Sequence, residues 1–354
     1  MAENEKSPYV FKKSLQTPAH ISSLAFGHTV HLFAGSDDGT LRLYDLSSFK
    51  VLRAVRGLGG EVTSIVCVKR PASEYRDVWL ACGRKAFHFK METSTMIMSS
   101  SDALSTLQPL GDEEDVLNEL ALDSSKKFLA FSADSGNVGV VDLSSMTISM
   151  MKTKHENICA CVKFIPQRPS ELVSGGYDEN ILHFDFQQRT TLSNLKIPQA
   201  DSVGGMSFSP PFIMCTAISS CGLFAAGTGD GRLWMGFGGE KKPSSAPKKK
   251  TRKWNGLDRE EEVLLKVVDG PIVAMAFSEE NVLTVSTLLG TLAQFCLERN
   301  DKGAGEAKEL WRAEAKITEK VNALVVNDTK IVIGGFDKDG KGIIEIWEKQ
   351  IIPS

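Results

Sequence analysis

Three segments of this chain can be laid over one another without gaps: Leu32–Leu46 (LFAGSDDGTLRLYDL), Leu129–Leu143 (LAFSADSGNVGVVDL) and Leu172–Phe186 (LVSGGYDENILHFDF). Each reads as a short apolar strand ending in small residues, a polar turn, and a second strand that closes on Asp. The small residues allow neighbouring backbones to approach. The Asp, Gly or Asn of the turn accepts the tight geometry of a hairpin. An alternating apolar strand precedes each pair, at Ile21–Phe26, Val116–Leu122 and Ile158–Phe164. A three-stranded unit of this kind cannot hide its apolar faces alone, so the repeat demands that copies stack.

Four weaker copies fit the same template. The second runs through Val62–Val68, Val78–Gly83 and Ala86–Phe89, with its turn shortened around Arg84 and Lys85. The fifth uses Phe212–Ile218, Leu223–Thr228 and Arg232–Phe237. The sixth uses Ile272–Phe277, Val282–Ser286 and Thr291–Leu297, and the seventh Val321–Val326, Ile331–Gly335 and Ile343–Trp347. Outer fourth strands are expected at Val51–Val55, Thr95–Ser99, Thr147–Met151, Thr190–Leu195, Val263–Val268 and Leu310–Ala313. The seventh copy has none after Trp347, whereas Tyr9–Leu15 (YVFKKSL) precedes the first copy without a partner. The expected fold is therefore all-β, one seven-bladed β-propeller of four-stranded antiparallel blades spanning residues 1–354. A strand within residues 7–15 closes it onto the last blade, because an open ring leaves sheet edges unpaired.

On these segments the chain resembles the WD-repeat family over nearly its whole length. The resemblance implies a blade network of His, Ser, Asp and Trp. In the fourth copy His155, Ser174 and Asp178 match it, with Phe184 in place of Trp. Asp38 and Tyr44 stand in the first copy, with His20 as a third member. Asp230 stands in the fifth copy, and Asp337 and Trp347 in the seventh, where the dipeptide is Trp347-Glu348. The runs Glu156–Gly176 and Glu319–Trp347 resemble blades of one WD-repeat subfamily. This implies a non-catalytic adaptor that binds other proteins on its rims and serves a cullin-type ubiquitin ligase. Such receptors dock through Trp-Asp-x-Arg; the nearest sequence here is Phe184-Asp185-Phe186-Gln187, with Arg189 two positions late.

The residues themselves give no chemistry to set against a binding role. Gly227–Gly231 is glycine-rich, but strand residues rather than a helix follow it, so a hairpin turn is expected and not a phosphate loop. Cys159-x-Cys161 lacks the second ligand pair that zinc needs. The histidines show no metal spacing, and no nucleophile turn accompanies a Ser-His-Asp or Cys-His order. No catalytic residue, cofactor or metal is expected. Seven scattered cysteines, mostly within apolar runs, suit reduced core thiols and hence the cytoplasm or nucleus. No apolar stretch is long enough to span a bilayer, and a net charge of −3 argues against a chain that is basic throughout.

One segment departs from this balance. KKPSSAPKKKTRK (Lys241–Lys253) is expected to be a flexible basic loop within residues 238–258, inserted in blade 5. Lys248, Lys249, Lys250, Arg252 and Lys253 have the charge density that a nuclear import receptor reads. The same cluster offers an alternative function, a nuclear regulatory subunit in RNA or ribosome-related assembly, with Trp254 as the one nearby stacking surface. The acidic run Asp112–Asp115 reads as a polar loop. Arg42, Arg56, Arg84, Lys85 and His183 are outward-facing candidates for partner contact.

Overall fold

The computed structural model describes residues 8–28, 30–71, 73–199, 209–240 and 254–350. Seven sheets form from the seven sequence copies, and all but the seventh run from an innermost to an outermost strand in chain order. The fourth blade shows the pattern: Cys159–Phe164, Glu171–Gly176, Asn180–Asp185 and Thr190–Lys196, all antiparallel. Blade 7 takes Lys320–Val326, Lys330–Phe336 and Gly342–Lys349 from the end of the chain and Tyr9–Thr17 from its start. The terminal strand pairs from Tyr9 opposite Lys349 to Thr17 opposite Gly342, with a bulge at Phe11/Lys13. Tyr9 then packs on Trp311 and Phe11 on Trp347, so closure buries aromatic surface as well as backbone.

Seven apolar clusters fill the seven boundaries between blades. Their common element is small. Every innermost strand carries a bulge near its start, between Ile21/Ser23, Val62/Ser64, Leu117/Glu119, Cys159/Cys161, Ile213/Cys215, Ile272/Ala274 and Val321/Ala323. The residue before each bulge is wholly buried. At four boundaries it presses against a glycine on the second strand of the preceding blade. A Cβ on Gly35, Gly175, Gly227 or Gly334 would lie 2.4–2.6 Å from the side chain of Val62, Ile213, Ile272 or Ile21 respectively. The "small residues" of the repeat are therefore the sockets that set how tightly blades stack.

One strand departs from expectation. The segment expected to be blade 2's outer strand, Thr95–Ser99, contributes Ile97–Ser99 to blade 1, where it runs parallel to Lys50–Arg56 as a fifth strand. Blade 2 is completed instead by Ser105–Leu107. Met91 and Met98 explain the detour, since both are buried in the cluster between blades 1 and 2. Arg53 Nε reinforces it by donating to the Thr93 carbonyl at 3.2 Å. No helix among the described residues is long and apolar enough to cross a membrane.

The socket geometry gives a direct test. Gly175→Val puts a branched side chain where a Cβ alone already lies 2.5 Å from Ile213 Cγ2, and overpacking of this kind costs about 1–3 kcal/mol. Denaturant unfolding should show that loss with an unchanged m-value, whereas Gly340→Val, at a turn with open space around it, tests backbone strain alone.

Candidate functional site

The innermost strands of all seven blades surround a central cavity of about 630 Å3. The bulge residues set the character of its wall. On blades 7, 1, 2 and 3 they are Asn322, Ser22, Thr63 and Asn118, and each spends its side chain on the next blade. Ser22 Oγ donates to the Val62 carbonyl at 2.9 Å, Thr63 Oγ1 to Leu117 at 2.5 Å, Asn118 Nδ2 to Cys159 at 3.0 Å and Asn322 Nδ2 to Ile21 at 2.9 Å. On blades 4, 5 and 6 the same position holds Ala160, Met214 and Val273. The channel therefore has a polar half and an apolar half. An ion pair in its wall joins Lys163 of blade 4 to Glu119 of blade 3.

The best-matched blade holds a complete hydrogen-bonded chain. His155 is buried, with Nδ1 2.8 Å from Asp178 Oδ1 and Nε2 2.8 Å from Ser174 Oγ. The Asp178 carboxylate also accepts the backbone N–H groups of Glu156 at 3.0 Å and Asn180 at 3.2 Å. Burial pushes the Asp178 carboxyl upward, but the bond to His155, the imidazole's charge and these two N–H groups outweigh it and hold the acid below its ordinary range. Two glycines make room: a Cβ on Gly136 would strike the His155 carbonyl and one on Gly176 its imidazole. The chain of bonds joins a turn, a strand and an inter-blade connector. That is a brace, and nothing in it faces the channel.

Elsewhere the network is partial. Asp38 accepts the Thr40 N–H at 3.0 Å in its own turn. His20 does not reach it: its Nδ1 lies 3.2 Å from Asp37, and its Nε2 2.9 Å from the Gly340 carbonyl of blade 7. Tyr44 is buried in the cluster between blades 7 and 1. Asp230 accepts from Thr228 and from Arg232 Nε at 2.7 Å, while Arg232 also reaches the Pro198 carbonyl. Gly227–Gly231 is accordingly a hairpin turn. Asp337 caps its turn through the N–H groups of Lys341 and Asp339, at 2.9 and 3.0 Å. Trp347 sits at the far end of its strand among Trp311, Phe11 and Lys316; Ile333 in place of a serine leaves nothing to connect it with Asp337.

Several candidates for outside contact prove to be internal. His183 is wholly buried, with Nε2 2.8 Å from Glu171 Oε2. Trp254 is 3% exposed, edge-on to His183 and Phe224, and its backbone N–H donates to Glu171 at 3.1 Å; it offers no stacking face. In the docking-like sequence Phe184 and Phe186 are buried and Asp185 caps the Gln188 N–H, while Arg189 donates to the Met150 carbonyl of blade 3 at 2.6 Å. Arg42 donates to Ser36, and Arg84 pairs with Glu113 at 3.1 Å. Arg56 and Lys85 remain exposed. The cluster Lys248, Lys249, Lys250, Arg252 and Lys253 lies outside the described residues. Cys159 and Cys161 both point their thiols at the Gly175 carbonyl; burial raises both, Cys161 to about 12, as suits packing groups.

Four acids escaped notice in the sequence because each lies in a run that reads as an ordinary strand or loop. Glu345, with no exposure, accepts the N–H groups of Lys316, Ile317 and Thr318 and the Thr318 hydroxyl, clamping the connector from blade 6 to blade 7. Asp115, from the supposed polar loop, is buried and holds the Ser135 turn through its N–H and its hydroxyl. Glu171 anchors His183 and Trp254, and Glu119 takes the Val162 N–H at 2.8 Å. A Glu within alternating apolar residues, as in Ile344-Glu345-Ile346, was the available signal.

Asp178→Ala would leave the buried His155 Nδ1 without its partner and remove the acceptor of two less deeply placed backbone N–H groups, a loss of about 1–3 kcal/mol. Because the native carboxyl titrates below its unfolded value, its contribution is complete above that value and fades as pH falls through the lower, folded one. Urea unfolding at pH 7 and pH 3 should therefore show a smaller gap between wild type and variant at the lower pH.

A family model described as WD domain, G-beta repeat matches residues 11–45, from the closing strand through the third strand of blade 1. WD repeat-containing protein 53 homolog of Dictyostelium discoideum is 26% identical over 220 residues, 56% of this chain and 57% of that protein. The match thus spans little more than half the length of that relative. The chain is thus a seven-bladed β-propeller, similar to the WD repeat over the closing strand and blade 1 and to a WD-repeat protein over little more than half its length.

Proposed function

We propose that this chain is a non-catalytic scaffold that brings other proteins together on the mouths of its channel and on its rims. WD40 propellers in general bind other proteins. The observation that carries the reading here is the channel wall. Its bulge-position polar side chains are already committed to neighbouring blades, and the remaining three positions are apolar. Such a wall recognises shape and apolar groups, and it presents no freed acid and base between which a proton could pass. Purification of the tagged full chain from its native cells should retain a stoichiometric protein partner, and Met214→Glu should release partners that use the apolar half of the channel. A chain that purifies alone under every condition would remove the scaffold reading.

The finer readings divide. An adaptor role in a cullin-type ligase would need a docking surface other than Phe184–Gln187, whose aromatic residues are internal. The RNA-related reading loses its stacking surface with Trp254 and rests on charge alone. The basic cluster supports a nuclear address more directly, through its density of Lys and Arg. Replacing Lys248, Lys249, Lys250, Arg252 and Lys253 by alanine should shift a fluorescent fusion from nucleus to cytoplasm; an unaltered distribution dismisses the signal.

A further inference from the structure

On the flank of the ring, between blades 2 and 3, lies a separate cavity of about 220 Å3. Its walls include Trp79, His88, Leu122, Leu143 and Met146, with Lys126 at a polar margin. Trp79 and His88 are opposite each other on adjacent strands, and their rings stack at 4.6 Å with only 7° between planes. His88 Nε2 is buried and meets no hydrogen-bonding partner within the described protein. A buried polar atom left in this way carries a desolvation cost that a hydrogen-bonding guest would remove. The cavity opens beside Met146, which is 41% exposed, and Lys126, which is exposed.

Size and charge narrow the guest. A cavity of about 150 Å3 is enough to hold benzene, so this one suits a single ring with a hydroxyl and a methylene. Burial lowers the His88 pKa, which keeps the imidazole neutral, and the Lys126 ammonium is directed to the Lys69 carbonyl at 3.0 Å. The walls thus favour a neutral guest over an anion. A phenol hydroxyl both donates and accepts, so it serves either tautomer of His88. We propose that this flank cavity is a docking pocket for one tyrosine side chain of a partner protein, with its hydroxyl hydrogen-bonded to His88 Nε2. The proposal goes beyond the scaffold reading, which stands if the pocket takes nothing.

The test titrates the full chain with p-cresol, with toluene and with a blocked Gly-Tyr-Gly peptide, following the indole N–H resonance of Trp79. Saturable p-cresol binding, toluene at least fivefold weaker, and peptide binding no weaker than p-cresol are expected. His88→Phe, which keeps the ring stack, should erase the preference for p-cresol over toluene. Equal binding of p-cresol and toluene, or a preference that survives in His88→Phe, would overturn the role of His88. No saturation by p-cresol leaves ordered water only as the occupant and overturns the pocket. Binding of p-cresol without the peptide assigns the site to free small phenols and overturns tyrosine docking.

Discussion

The ring depends on the sockets at its blade boundaries, where the fully buried residue at the start of each innermost strand packs in one apolar cluster with the blade before it. Four of these sockets are glycines whose missing Cβ is the space that Val62, Ile213, Ile272 and Ile21 occupy. Interiors pack like crystals, so a socket one methyl too large or too small changes the angle between blades as well as the local energy. Seven such angles must sum to a closed circle. The bulge beside each buried residue is the second half of the device, because it turns the following side chain toward the channel mouth and the next blade's carbonyl.

Closure has its own chemistry at blade 7. There the socket runs from Gly334 to Ile21, bridging residues from the two ends of the chain, and Asn322 Nδ2 reaches the Ile21 carbonyl at 2.9 Å. His20 and Tyr9–Thr17 add further ties across the same seam. Where the seam lacks the serine and histidine of blade 4, Glu345 substitutes a carboxylate that gathers three backbone donors from the preceding connector. The degenerate repeats thus keep the brace between blades while changing the residues that make it.

Most of this was legible in the sequence, and the exceptions share a cause. The seven copies and the closing strand follow from alternation, turn chemistry and small residues, all of which are local. Thr95–Ser99 reads correctly as a strand, yet its partner is chosen by where Met91 and Met98 can be buried, which no local pattern encodes. His183 and Trp254 look like surface residues, one in a strand and one beside a basic run. Only the tertiary position of Glu171 turns both inward. The same holds for the channel: the division of the bulge residues into a polar and an apolar half appears only when the blades are set in a circle. The His155 chain was readable because its members match the network that the family resemblance implies, whereas the unpartnered His88 belongs to a blade whose turn has lost that pattern.

The measurement that bears most directly on this account is native-state amide hydrogen exchange across the seam of the ring. If the first described strand closes blade 7, the amides within Tyr9–Thr17 that bond to Gly342–Lys349 should exchange as slowly as those of Gly342–Lys349 itself, through the same opening event. Rapid exchange of Tyr9–Thr17, at the rate of an unstructured terminus while blade 7 stays protected, would contradict a ring held shut by its two ends.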